Sequence, residues 1–164
     1  MERIRKRWDL KDTIVVLRLF IGWHFLYEGV IKLYNPEWTS FGYLASSQGP
    51  LKSVFAALTA EAILPWVDAL NWATLIFVGV TLLLGIWEKW GAFAGMGLLA
   101  LYYLAHPSFP WVTQLNVEGS YWFINKNLIE LVACMVLFQF PTGHYFGLPR
   151  VFGKKKVLTK TEIS

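Results

Sequence analysis

The stretch TIVVLRLFIGWHFLYEGVIKLYN, Thr13 to Asn35, decides the fold. It is long enough to cross a bilayer, for which about 20 mostly apolar residues suffice. Yet it carries Arg18, His24, Glu28 and Lys32. Ionisable groups inside a crossing face a bundle interior or an aqueous cavity, because lipid gives them neither solvent nor partner. At about 100° per residue the four fall within about one third of the helix circumference, so one interior face accommodates them all. Glu28 stands four residues before Lys32 and four after His24, a spacing at which local pairing offsets desolvation. A secretory signal would also begin basic and turn apolar, but this run exceeds the usual apolar core of a signal, carries four ionisable groups and lacks a small-residue cleavage site.

The rest of the chain repeats the theme. Of 164 residues, 55% are hydrophobic and 16% charged, which is too apolar for an ordinary soluble domain and excludes disorder or a fibrous repeat. Further spans are predicted at about 67–87, seeded by ATLIFVGVTLLLGIW, at 90–105 and, shorter, at 124–140. Gly91, Gly95 and Gly97, with Ala92 and Ala94, let a neighbouring helix approach the third span closely. The expected architecture is a single all-α domain over residues 1–164, a polytopic membrane protein built as a four-transmembrane-helix bundle. The polar and aromatic loop NPEWTSFGYLASSQGP separates the first span from a helical segment, 51–66, that ends near Pro65. This segment is expected to lie on the outer face, as an interfacial or re-entrant helix.

Topology follows from the basic residues. Five lie before the first span (Arg3, Arg5, Lys6, Arg7, Lys11), Lys89 lies in the turn between the second and third, and five lie in the C-terminal tail. The positive-inside rule then puts both termini on the cytoplasmic side of an inner membrane. The net charge of +4 thus reflects orientation and attraction to anionic membrane lipids, with no nucleic acid required. Cys134 is the single cysteine, so the chain has no dithiol of its own.

Depth concentrates the polar groups other than Arg18 and His24 toward the outside. Glu28 and Glu130 each fall roughly 10 Å into the outer leaflet, counted from Asn35 and Ile124. The two carboxylates are expected to share a pocket, with Lys126 and Asn127 one turn above Glu130, His106 ending the third helix, and Tyr102 and Tyr103 below it. Trp38, Tyr43 and Gln48 are candidate cover. Glu28, Glu130 and His106 are the candidate catalytic groups. Arg18, His24, Lys32, Trp38, Tyr43, Tyr102, Tyr103 and Lys126 are the candidate contacts to a substrate or quinone. A purely structural use of the charges as interhelical glue is the competing reading, and Arg18 in particular is placed to snorkel to the cytoplasmic interface. His24 and His106 fall at different depths, and no metal site is expected.

The segment LRLFIGWHFLYEGVIKLYNPEWTSFGYLASSQGP, Leu17 to Pro50, resembles the start of the DoxX/DoxD family of small four-helix membrane proteins. The likeness rests on the Arg18-to-Lys32 span with Gly22, Gly29 and Glu28, then NPEW and the SFGYL…S…GP loop. The resemblance implies a membrane subunit such as that of a thiosulfate:quinone oxidoreductase, with quinone as the one cofactor to consider and electrons arriving from a partner. It transfers no residue-level catalytic scheme. A non-enzymatic membrane scaffold that docks an extracytoplasmic partner, a homo-oligomer, and a small-molecule or lipid transporter stay open beside it.

Overall fold

A computed structural model of the protein describes residues 8–110, 122–148 and 150. The basic residues of the two tails other than Lys11 and Arg150, the loop 111–121 and therefore most of the charge asymmetry lie outside them. Among the described residues the protein is all-α, with six helices and no strand: α1 (Leu10–Tyr34), α2 (Phe41–Ala45), α3 (Lys52–Ala57), α4 (Leu64–Leu84), α5 (Glu88–Ala105) and α6 (Lys126–Gln139).

Each long helix begins or ends where local chemistry dictates. Asp9 caps α1 in a reciprocal box with Asp12, so two orphan N–H groups of the first turn are satisfied. Pro65 stands at the start of α4, where its missing N–H costs nothing. The expected helix over 51–66 ending at that proline is therefore corrected: α3 is only six residues long, and the proline opens the next helix. Gly85, at φ 69°, takes the left-handed conformation that terminates α4. The turn to α5 occupies residues 85–87, so Glu88 and Lys89 belong to the helix and not to the turn. Asn125 caps α6 by accepting from Leu128 N at 3.0 Å.

α1 and α4 are both long and apolar enough to cross a membrane, at 25 and 21 residues. α1 packs on α4, α4 on α5 and α5 on α6, while α1 meets α6 only sparsely. The core between them holds Phe25, Leu75, Val78, Leu82, Leu99, Cys134 and Leu137. Glycines set the close approaches. A Cβ on Gly79 would run into the Leu26 backbone, one on Gly29 would lie 2.9 Å from Ile76 N, and one on Gly91 would strike the Thr81 side chain. Gly95 backs on Cys134 and Val78, whereas Gly97 faces open space and takes no part in helix contact.

The outward faces are apolar on all four long helices: Phe20, Trp23 and Tyr27 on α1, Trp66 and Leu70 on α4, Trp90 and Phe93 on α5, and Ile129 and Val132 on α6 are exposed. Along these helices Arg18, Glu88, Lys32 and Glu130 lie wholly or largely inside. A water-soluble fold distributes them the other way round.

Candidate functional site

A cavity of about 730 Å³ opens among the C-terminal halves of α1 and α5 and the N-terminal halves of α4 and α6. α1 contributes His24, Phe25, Glu28 and Lys32, which recur at about one-turn intervals and so form a single wall. α6 faces it with Lys126, Asn127 and Glu130, and α4 and α5 close the back with Asn71, Leu75, Leu99 and Tyr102. Trp38, Thr39, Ser40 and Tyr43, from the segment after α1, cover the end of the cavity nearest the C-terminus of α1.

Two acid–base pairs stand on these walls. His24 Nε2 lies 3.3 Å from Glu130 Oε1, across the gap between α1 and α6. Lys32 Nζ lies 3.4 Å from Glu28 Oε2, one turn apart on α1. The ammonium also sits over two aromatic faces, 5.4 Å from the Trp38 ring and 6.0 Å from that of Tyr102, so the ring quadrupoles hold it as well as the carboxylate. The expected meeting of Glu28 with Glu130 takes a different form. Both line the cavity, but each faces a base of its own, and it is His24, one turn deeper along α1 than Glu28, that reaches Glu130. Counting both depths from the outer boundary assumed a common level for the two helix ends, which α1 and α6 do not share.

The cover is built from the residues of the SFGYL…S…GP loop. Asn35 Oδ1 accepts from Glu37 N at 3.2 Å, a turn that swings Trp38 back over Lys32. Asp68 at the start of α4 accepts from Ser40 N at 2.9 Å and from the Ser40 hydroxyl. Ser47 Oγ, Gln48 N and Gly49 N all donate to Ala105 O, a carbonyl that the end of α5 leaves unpaired. Gly49 comes so close that any Cβ there would collide with the Leu104 carbonyl. Tyr43 ties the cover to the wall: its hydroxyl donates to Tyr102 O at 3.0 Å, and its own carbonyl accepts from His106 Nε2 at 2.9 Å. Burial of the Tyr43 hydroxyl pushes its pKa up, so it remains a donor. Asn71 Nδ2 donates in turn to Tyr102 OH at 2.6 Å.

Eight of the eleven residues singled out in the sequence line this cavity: His24, Glu28, Lys32, Trp38, Tyr43, Tyr102, Lys126 and Glu130. Three do not. His106 packs against Tyr43 at a ring tilt of 60°, centroids 4.3 Å apart, and touches the cover without lining the cavity. Tyr103 turns away and donates to Phe123 O at 2.8 Å. Arg18 is fully buried nearer the N-terminal end of α1, where Nη1 lies 3.3 Å from Glu88 Oε1 and 3.1 Å from Thr142 Oγ1, and Nη2 donates to Phe146 O. It neither snorkels nor reaches the cavity. Glu88 and Asp68 were missed, the first because it reads as turn, the second because it reads as the polar start of a span. Ser40 and Asn71 were missed because uncharged polar residues give no depth signal. Among the described residues no group of three or more His, Cys, Asp or Glu is placed to hold a metal.

The profile of the family described as DoxX matches residues 13–107, from the start of the first span through the end of α5. The chain belongs to the DoxX family. With the apolar helices, membership makes it a membrane protein. The match takes in the α1 wall, the cover, α4 and α5, and stops before α6, so Lys126, Asn127 and Glu130 stand beyond it. No curated protein and no solved structure matches the chain.

Proposed function

We propose that this DoxX protein crosses the inner membrane four times, through α1, α4, α5 and α6, with both termini cytoplasmic and α2 and α3 at the outer face. In that membrane it serves as a subunit of a quinone-linked oxidoreductase, with a sulfur compound such as thiosulfate as the donor oxidised by a partner subunit. The observation that carries the reading is the cavity with His24–Glu130 and Lys32–Glu28 on its walls and aromatic rings between them.

The fit to a quinone head rests on volume and donor set. The cavity lies within the usual range of about 300–1,000 Å³ for small-molecule sites, and it joins apolar surface to a few convergent polar groups. Tyr102, Tyr43 and Trp38 supply faces for a flat ring. His24 and Lys32 supply donors for carbonyl oxygens, and Lys126 adds positive charge at the mouth. A quinone takes up two electrons and two protons as it becomes a quinol. Electrons come from the partner, since Cys134 is alone and buried. Protons reach the head through this chain: a protonated His24 would hand one over from its ring nitrogen while Glu130 holds the ring in place, and the Lys32 ammonium is the second proton-bearing group on the cavity wall.

The test is binding of a tail-less benzoquinone to the purified protein in lipid nanodiscs. Saturable binding that is lost on Glu130→Gln or His24→Ala supports the reading. Binding by none of these proteins, with the partner subunits also present, overturns it.

A further inference from the structure

Resting on the reading of this cavity as a ligand site, we infer that its ligand arrives from within the bilayer, through the seam between α1 and α6. The ligand is then a lipid-soluble molecule, with a polar head between His24 and Glu130 and an apolar tail along that seam. Among the described residues the other seams are tied at the level of the cavity. α1 and α4 meet at Gly29 on the Ile76 backbone and at Gly79 on the Leu26 backbone, Asn71 on α4 donates to Tyr102 OH on α5 at 2.6 Å, and α5 and α6 pack extensively. The outer end is pinned through Asp68 to Ser40 and through Ala105 to residues 47–49.

The α1–α6 seam differs in kind. The two helices touch sparsely, and the one polar bridge between them among the described residues is His24–Glu130. The His24 and Glu28 side chains are 36% and 41% exposed, although they lie roughly 15 and 9 Å inward of Tyr34 along α1. Part of that exposure faces the cavity they line, and the sparse α1–α6 contact leaves the cavity open on its membrane side at this depth. Phe20, Tyr27 and Ile31 are all exposed and lie within about 60° of His24 around the helix, above and below it. They present an apolar ledge beside a polar opening. A hydrated anion gains nothing from such a ledge, whereas an isoprenoid or acyl tail is matched to it. The His24–Glu130 pair is then the latch that a head group must part to enter.

A benzoquinone carrying a photoreactive diazirine on a short isoprenoid tail tests this in nanodiscs. After illumination, the label is expected on peptides from Phe20 to Ile31 and from Lys126 to Phe140, and it should be lost when excess tail-less benzoquinone competes for the head site. Competed label on residues 36–50 instead would overturn the lateral route while leaving the cavity as the ligand site. Label that is spread over the outer faces and unaffected by the tail-less competitor would overturn both.

Discussion

Arg18 and Glu88 form an enclosed ion pair, Nη1 to Oε1 3.3 Å, with 0% and 5% of their side chains exposed. Glu88 also accepts from Thr142 N at 2.9 Å and from Gly143 N, so α1, the start of α5 and the segment after α6 are tied together at one point. Removing one partner strands a buried charge. Arg18→Met or Glu88→Gln is expected to cost about 3–5 kcal/mol of stability, read as a lower unfolding temperature in detergent, while the two together, which strand no charge and keep an amide oxygen for the Thr142 or Gly143 N–H, recover part of the loss. A double variant no better than either single one would show that the pair does more than neutralise itself.

His24 and Glu130 should behave as one unit. In quinone binding, His24→Ala and Glu130→Gln are each expected to weaken affinity by about tenfold or more, near 1.4 kcal/mol. The double variant should lose little beyond either single change, with a coupling of about 0.5–3 kcal/mol in a double-mutant cycle. Strictly additive losses would mean that the two groups contact a ligand independently and that the 3.3 Å bridge is not maintained in the membrane.

Tyr43 holds the cover by a hydroxyl whose pKa burial raises, although 39% of the residue is exposed. An acid whose folded pKa lies above its unfolded value stabilises the fold fully below the unfolded value, about 10 for tyrosine, and loses that contribution as pH rises further. Hydrogen exchange of residues 38–50 is therefore expected to quicken above about pH 10. Tyr43→Phe should quicken it already at neutral pH, for a loss of about 0.5–1.5 kcal/mol, and abolish the alkaline step. An unchanged alkaline step in Tyr43→Phe would assign it to another group.

The helices and most of the cavity were legible because their signals are local. Apolar run length gave α1, α4, α5 and α6 to within a few residues, and helical arithmetic put His24, Glu28 and Lys32 on one face. What the sequence did not carry was partnership. Depth already sets Arg18 apart, about 21 Å along the axis from Lys32 at a similar azimuth, yet with no partner visible the face argument still groups it with the contacts of the outer pocket. Its partner Glu88 looked like half of a surface turn, because the left-handed residues that actually make the turn, Gly85 and Trp87, carry no charge to mark them. Ser40, Ser47 and Gly49 belonged to the motif that gave the resemblance, but their use as staples on Asp68 and Ala105 is a tertiary fact.

Gly29 on α1 and Gly97 on α5 offer a sharp comparison of packing against propensity. At Gly29 an added Cβ would sit 2.8 Å from Ile76 Cγ1 and 2.9 Å from both Ile76 N and Leu75 Cβ, so the neighbouring backbone leaves it no room. At Gly97 it meets nothing within 4 Å. Gly29→Ala must push α1 off α4 and is expected to destabilise by about 1–3 kcal/mol, as overpacking in a dense core does. The same displacement moves Glu28 and Lys32 relative to α6, so quinone affinity should fall with stability. Gly97→Ala removes backbone freedom from the unfolded chain at a helical position with open space, and is expected to be neutral or to stabilise by about 0.4–1 kcal/mol with affinity unchanged. Thermal unfolding and quinone titration on the two variants side by side decide the matter. Equal effects at both positions would show that helix propensity, and not contact between α1 and α4, sets the importance of these glycines.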